Sequence, residues 1–291
     1  MSILTSLINV DRRGHRRDRR PWQDIHSWVG WLNGPDLLAI GRTDCELVLV
    51  DYSADASAQG EFTPEQVERL RRSGPGRRVI AYLSVGEAER HRYYWQRAWR
   101  PGSPSWIVAE NPEWPGDHLI EYWHPGWQSI VLAYLDRILA QGFDGVYLDW
   151  VDAYDNPYAV AKEPAMVELV LRVARYARRC SSLGEDFGVF AHNAEALTTR
   201  YSRLTAELTG ILREEVYVAA TDKPIPETER ARVEADLSRF RASSPNKLVL
   251  TIDYANRPDL IAEARGRARM RGFVPYVAGV ALDRLATDLV T

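Results

Sequence analysis

The segment Phe143-Asp144-Gly145-Val146-Tyr147-Leu148-Asp149-Trp150-Val151-Asp152 is an apolar run that ends in a carboxylate, with a second carboxylate three residues later. Apolar residues bury such a run as a strand. An acid at its C-terminal end faces the cleft where the loops of a parallel α/β fold converge over a rigid floor. Asp149 is the first candidate for chemistry on that ground. Acids recur at the ends of other strand-like runs: Asp51, Glu87, Asp152, the neighbours Glu214 and Glu215, and Asp253. Each alone reads as a loop cap or an ion-pair member. Together on one rim they supply the paired carboxylates that glycosidic cleavage needs, one as nucleophile or base and the other held protonated as acid.

Other chemistries lack their residues. The six histidines, His15, His26, His91, His118, His124 and His192, form no HxH or HExxH pair, so no metal and no cofactor is expected. No GxGxxG, GxxxxGK[ST] or GxSxG string occurs, which removes the phosphate cradle and the serine nucleophile turn. Ser84 precedes Val85-Gly86-Glu87 and reads as a polar rim contact. His192, followed by Asn193 at a strand end, either hydrogen-bonds a ligand or braces the rim. Six of the ten tryptophans, Trp95, Trp99, Trp106, Trp114, Trp123 and Trp127, cluster in one stretch. They either pack on one another or present indole faces that stack on sugar rings and attract cations.

The elements that position these groups follow from hydrophobic pattern. Strand-like runs at 28–32, 47–51, 79–84, 146–149, 188–192, 211–215, 248–253 and 274–278 alternate with helical periodicity at 63–72, 127–140, 165–179, 194–207, 227–241 and 259–271. Thr63-Pro64-Glu65-Gln66 reads as a helix cap with Pro at the first helical position. Eight strands with intervening helices predict a single α/β domain, a (β/α)8 TIM barrel. A further strand-like run, 118–123, belongs to a Trp-rich insertion after the third strand, because residues 85–117 lack the apolar stripe of a crossover helix. The stretch 221–226 is a weak linker candidate.

At 291 residues, 45% hydrophobic and 26% charged, the chain is long enough for one large core. A net charge of −3 calls for neither nucleic acid nor an anionic membrane as partner. Residues 1–24 are expected to be a flexible tail, with six arginines between Asp11 and Arg20, and 25–291 the barrel. Cys45 and Cys180 are too few for a disulfide framework. No apolar stretch of about 18 residues predicts a membrane span. No signal peptide is read at Met1–Val10, so the chain reads as cytoplasmic as written and its compartment stays open.

Several strings resemble glycoside hydrolase family 114: Asp51-Tyr52, then Ala81-Tyr82-Leu83-Ser84-Val85-Gly86-Glu87-Ala88-Glu89 with Arg92 and Tyr94-Trp95, then Tyr122-Trp123-His124-Pro125-Gly126-Trp127, then Gly142 to Asp149. The likeness runs in order from about residue 28 to 283. That family contains endo-α-1,4-polygalactosaminidases with a (β/α)8 barrel. The resemblance implies Asp149 and Glu214 as the catalytic acids, with Glu215 one residue from the matching column. Alternation allows only one of those two glutamates to point inward. It further implies a substrate cleft lined by Asp51, Tyr52, Tyr82, Ser84, Glu87, Trp123, Asp152, Asn193, Asp253 and Tyr254. The implied partner is a galactosamine-containing polysaccharide, a cationic amino sugar suited to an acidic rim. Many relatives look secreted, as an exopolysaccharide enzyme would be. Two other readings remain: a sugar-binding barrel without turnover, and an interaction protein that docks a partner through the Trp-rich loop.

Overall fold

Short aliphatic runs, each ended by polar or turn residues, form eight parallel strands in the computed structural model, which describes residues 19–157, 162–220 and 222–286. They are β1 (Trp28–Trp31), β2 (Leu47–Val50), β3 (Arg78–Ser84), β4 (Gly145–Asp149), β5 (Gly188–His192), β6 (Gly210–Glu214), β7 (Leu248–Tyr254) and β8 (Val274–Ala278). Each pairs in parallel with the next in chain order. Between β8 and β1 the ring is drawn together by Trp28, whose Nε1 donates to the Val274 carbonyl at 2.9 Å and whose ring meets Tyr276 at 5.2 Å. The Leu32 and Asn33 amides both donate to the Leu282 carbonyl. All eight expected strands are present, and the fold is a (β/α)8 barrel with its helices outside.

The helices are α1 (Leu37–Gly41), α2 (Pro64–Arg72), α3 (Pro125–Gln141), α4 (Glu163–Cys180), α5 (Glu195–Arg200), α6 (Ser202–Glu207), α7 (Glu227–Ala242) and α8 (Pro258–Met270). Thr63 and Gln66 close a reciprocal capping box at the start of α2. The helix expected over 194–207 is instead two, broken at Tyr201. Thr198 and Thr199 turn their hydroxyls back onto the Glu195 and Ala196 carbonyls, and Thr205 donates to the Thr198 carbonyl, so side chains compete for the groups a continuous helix would use. Residues 221–226 are not a linker. Val218–Ala219 and Lys223–Pro224 pair as a short antiparallel hairpin, with Thr221 outside the described residues.

Of the stretch expected to be a tail, residues 19–24 are described and pack on the barrel. Residues 1–18 lie outside the described residues, but Trp22 is buried and plugs the N-terminal end of the barrel, edge-on to Phe190 at 5.2 Å and under the Arg78 guanidinium at 4.4 Å. Asp144, fully buried just before β4, ties that end together. It pairs with Arg19 and Arg71 and accepts the Val79 amide at 2.9 Å.

After β3 the chain leaves the barrel. Glu87–Glu89, Asp117–Ile120 and Ile107–Glu110 form a small antiparallel sheet with Asp117–Ile120 in the middle, so the run expected at 118–123 is a strand of an insertion. Its tryptophans chiefly pack on one another: Trp95 on Trp99 at 5.4 Å, Trp99 on Trp106 at 5.1 Å, Trp106 on Trp127 at 5.4 Å. Trp127 anchors this stack to the barrel by donating to the Val85 carbonyl at 2.8 Å. Trp114 differs, since half its surface remains exposed over the barrel mouth.

Candidate active site

The C-terminal ends of β2, β3, β4, β5, β6 and β7 open into a cleft of about 620 Å³ lined by Asp51, Tyr82, Asp149, Trp150, His192, Glu214 and Tyr254, with Trp114 and Asp117 on the insertion side. Three consecutive strands end the same way. Trp150, Asn193 and Glu215, each directly after the last residue of β4, β5 and β6, adopt left-handed backbone with φ of 57°, 46° and 54°. None is glycine, so each costs about 1–3 kcal/mol, a strain that concentrates at functional sites. The turn swings the chain away while Asp149, His192 and Glu214 stay over the cleft. Gly86 permits a further close approach, because a Cβ there would stand 2.0 Å from the Trp150 carbonyl oxygen. The β3 loop thereby lies against the end of β4, with the Val85 amide on the Asp149 carbonyl.

His192 is the centre of the arrangement. Its Nδ1 lies 3.2 Å from Asp149 Oδ1 and 3.2 Å from Asp152 Oδ1, and its Nε2 lies 4.0 Å from Glu214 Oε1. Neither nitrogen is aligned for a straight hydrogen bond, so the contacts act as charge pairs. Burial works against the imidazolium, but Asp152, Asp149 and Glu214 outweigh it and lift the pKa to about 10. His192 is therefore a fixed cation among three acids at neutral pH. Burial raises the Asp149 carboxyl above its ordinary range, with the imidazolium and the Tyr82 hydroxyl pulling the other way. Glu214 is raised too, by burial and by the Asp149 charge, against His192 and a hydrogen bond from Tyr254. Asp152 goes down despite burial, because His192, Asn193 and Arg213 favour its anion.

Behind this centre lies a second charged group. Arg92 grips both Glu89 oxygens, Nε to Oε2 at 2.7 Å and Nη2 to Oε1 at 3.1 Å, and pairs with Asp51 Oδ2 through Nη1. The Tyr82 hydroxyl lies between Asp149 Oδ2 at 2.7 Å and Glu89 Oε1 at 3.2 Å. Glu89, His91 and Asp117 could together ligate a cation, with one atom from each inside 4.8 Å of the others. Glu89 is already held by Arg92 there, and no step of the chemistry is routed through such an ion.

Of the expected site residues, the structure brings together Asp149, Glu214, Asp51, Tyr82 and Tyr254, with Asp152 and Asn193 beside His192. Asn193 fixes this corner, donating to Asp152 Oδ2 at 2.8 Å and accepting from Arg213 and the Glu214 amide. Glu215 also reaches the cleft lining, but its carboxylate is engaged by the Ala220 amide at 2.8 Å, whereas Glu214 is the glutamate beside His192. Five others do not line the cleft. Tyr52 is buried edge-on against Tyr134, with its hydroxyl on the Ala56 carbonyl. Ser84 donates to the Glu87 carbonyl at 2.8 Å. Asp253 accepts the Tyr217 and Val218 amides and anchors the hairpin. Trp123 packs on Tyr122 and under the Lys162 ammonium, 3.5 Å from the ring centroid. Glu87 is fully buried, held by Asn111 Nδ2 at 3.0 and 3.1 Å. The pattern missed Glu89 and Arg92 as site residues although both fall in the quoted strings, and it left the role of His192 open.

Glu87 has a measurable consequence. Burial pushes its carboxyl to about 8, so it stays protonated in the fold where the unfolded chain would ionise. A raised acid contributes full stability below the unfolded value of 4.5 and loses it as pH rises toward 8. The loss is about 3 kcal/mol by pH 7. Glu87→Gln should flatten the decline of thermal stability between pH 5 and 8. Parallel curves for the two proteins would refute it.

A (β/α)8 barrel with opposed carboxylates at the C-terminal mouth is the architecture of a glycoside hydrolase, and similarity to known proteins agrees. The profile of Glycoside-hydrolase family GH114 matches residues 21–289, and the chain belongs to that family. An uncharacterized protein of Deinococcus radiodurans is 40% identical over 268 residues, covering 90% of this chain and 82% of its own. Among solved structures, Aspergillus fumigatus Ega3 in complex with galactosamine superposes with a TM-score of 0.69 at 19% identity, covering 91% of this chain and 96% of Ega3. The glycoside hydrolase domain of Pseudomonas aeruginosa PelA gives 0.65 at 19% identity, covering 90% and 97%.

Proposed function

We propose that this glycoside hydrolase cleaves α-1,4-linked galactosamine-containing polysaccharide with Asp149 as nucleophile and Glu214 as acid and base. The observation that carries the reading is one imidazole flanked by Asp149 and Glu214, each from a different strand end and each open to the same cleft. Asp149 attacks the anomeric carbon as the glycosidic bond breaks, and the leaving oxygen takes the Glu214 proton. Glu214, now anionic, takes a proton from water, whose oxygen attacks the same carbon and releases Asp149. The environments suit these roles. Burial raises both carboxyls and His192 favours both anions, while the Asp149 charge holds Glu214 up further and the Tyr82 hydroxyl supports the Asp149 anion. The His192 cation moderates the repulsion when both acids are charged.

Two findings support a cationic, deacetylated substrate. Seven carboxyl groups, Asp51, Asp55, Glu89, Asp117, Asp149, Glu214 and Glu215, line the cleft against the Arg92 and His192 cations, and such a field concentrates ammonium-bearing sugars. Ega3, similar in fold, was solved with galactosamine. Half-exposed Trp114 offers a face for a sugar ring. The test is release of reducing ends from α-1,4-polygalactosamine at graded acetylation, with release rising as acetyl groups are removed. Binding without release would favour the non-catalytic barrel. Glu214→Gln is expected to lower kcat by about 10²–10⁴-fold, the range for removing a general acid. Glu215→Gln should cost far less, and the opposite order would exchange their roles.

A further inference from the structure

We infer that Tyr82 is a positioning residue for Asp149, its single hydroxyl proton turning between Asp149 and Glu89 as the charge on Asp149 comes and goes. The inference rests on the proposed role of Asp149 as nucleophile. A phenol carries one proton and can donate to one acceptor at a time, yet Tyr82 faces two carboxylates, Asp149 Oδ2 at 2.7 Å and Glu89 Oε1 at 3.2 Å. The shorter contact goes to Asp149 while that group is an anion. Attack on the sugar converts Asp149 into an ester, whose oxygens carry no net charge and accept more weakly. The hydroxyl then turns to Glu89, the remaining anion. When water releases the sugar and the Asp149 charge returns, the proton turns back. No bond to hydrogen breaks in this movement; the O–H rotates about the ring C–O bond.

The surroundings are built to keep the second acceptor in place. Glu89 is 4% exposed and Arg92 6%, and the Arg92 fork holds both Glu89 oxygens while Asp51 takes the third nitrogen. The Glu89 amide donates to the Tyr94 hydroxyl at 3.0 Å, which fixes its backbone. The Arg92 guanidinium lies 5.0 Å from the Tyr82 ring centroid, so the ring is pinned as well. Two acids against one arginine leave an uncompensated negative charge behind Tyr82. A fold needing only packing would be served as well by apolar side chains.

The test reads the titration of Asp149. That carboxyl is faced by Tyr82 from β3, Tyr147 of its own strand, Asp152 beyond it, His192 from β5, Glu214 from β6, Tyr254 from β7, and Glu87, Glu89 and Asp117 from the insertion. Tyr82→Phe removes a donor to the anion, so Asp149 should titrate at higher pH. The acid limb of kcat should move up with it, and kcat should fall about tenfold to a hundredfold with KM little changed. Glu89→Gln removes a neighbouring negative charge and should move the same limb down. A merely structural role would not give shifts of opposite sign. Two readouts are used: kcat on partly deacetylated α-1,4-polygalactosamine, and the ¹³C resonance of the Asp149 carboxyl, assigned by its loss in Asp149→Asn. The resonance reports the signs without turnover. Shifts of one sign, or none, in both variants overturn the inference. If Asp149→Asn still turns over, the catalytic reading fails instead. If Asp149→Asn is inactive and Tyr82→Phe shifts nothing, only the inference about Tyr82 falls.

Discussion

Asp149→Asn should reduce kcat by at least about 10⁴-fold, as removal of a covalent nucleophile does, without lowering thermal stability. The asparagine keeps the shape of the side chain and can still accept from Tyr82, but it cannot attack the anomeric carbon or leave from it as an anion. The fold should tolerate it because burial already disfavours the Asp149 charge. His192 retains Asp152 at 3.2 Å and Glu214 at 4.0 Å, so its cation is not stranded. Reducing-end release and thermal denaturation on the same preparation check both halves. Retained turnover would remove Asp149 from the mechanism.

Asp144→Ala should do the reverse. Asp144 sits at the opposite end of the same strand, with a fully buried side chain that holds Arg19, Arg71 and the Val79 amide. Removing it orphans the Val79 amide and the Arg71 Nε and takes the partner from Arg19, while the other Arg71 nitrogens keep Glu68 and the Gly142 carbonyl. At roughly 1–3 kcal/mol per buried orphaned group, the loss is about 3–5 kcal/mol. At roughly 2 °C per kcal/mol for a chain of this size, Tm should fall by about 6–10 °C. Turnover by the remaining folded enzyme should be unchanged, because Asp144 and the catalytic cleft lie at opposite ends of the barrel. Chemical denaturation measures the first effect and kcat per folded molecule the second. A loss of kcat at unchanged stability would place Asp144 in the chemistry.

This contrast marks where the sequence stops being legible. Aliphatic runs ended by polar residues announce all eight strands, because burial on both faces of a parallel strand demands them. The string that contains Asp144 and Asp149 does not say which carboxylate serves the bottom of the barrel, since that depends on where Arg19 and Arg71 arrive from. Adjacent residues were also over-assigned to the cleft. Asp51 and Tyr52 are neighbours, as are Asp253 and Tyr254, and alternation sends one of each pair inward and the other outward. Asp51 and Tyr254 face the cleft; Tyr52 and Asp253 serve the packing behind it. Glu214 and Glu215 both reach the cleft, and the left-handed turn at Glu215 gives them different partners, His192 for Glu214 and the Ala220 amide for Glu215. The roles of His192 and Arg92 were hidden for another reason. Each acts through acids contributed by distant parts of the chain, and no local spacing records such a meeting. The tryptophan cluster carried two readings, and the structure gives most of its rings to packing and Trp114 to the cleft.

The proposed mechanism requires a covalent bond between Asp149 and the sugar, and that bond can be trapped. In Glu214→Gln, a 2,4-dinitrophenyl α-galactosaminide needs no acid to leave, while the step that frees Asp149 has lost its base. Intact mass measurement should show one added galactosamine, and peptide mapping should place it on Asp149. An adduct on another residue, or a product released with inverted anomeric configuration and no adduct, would contradict the mechanism.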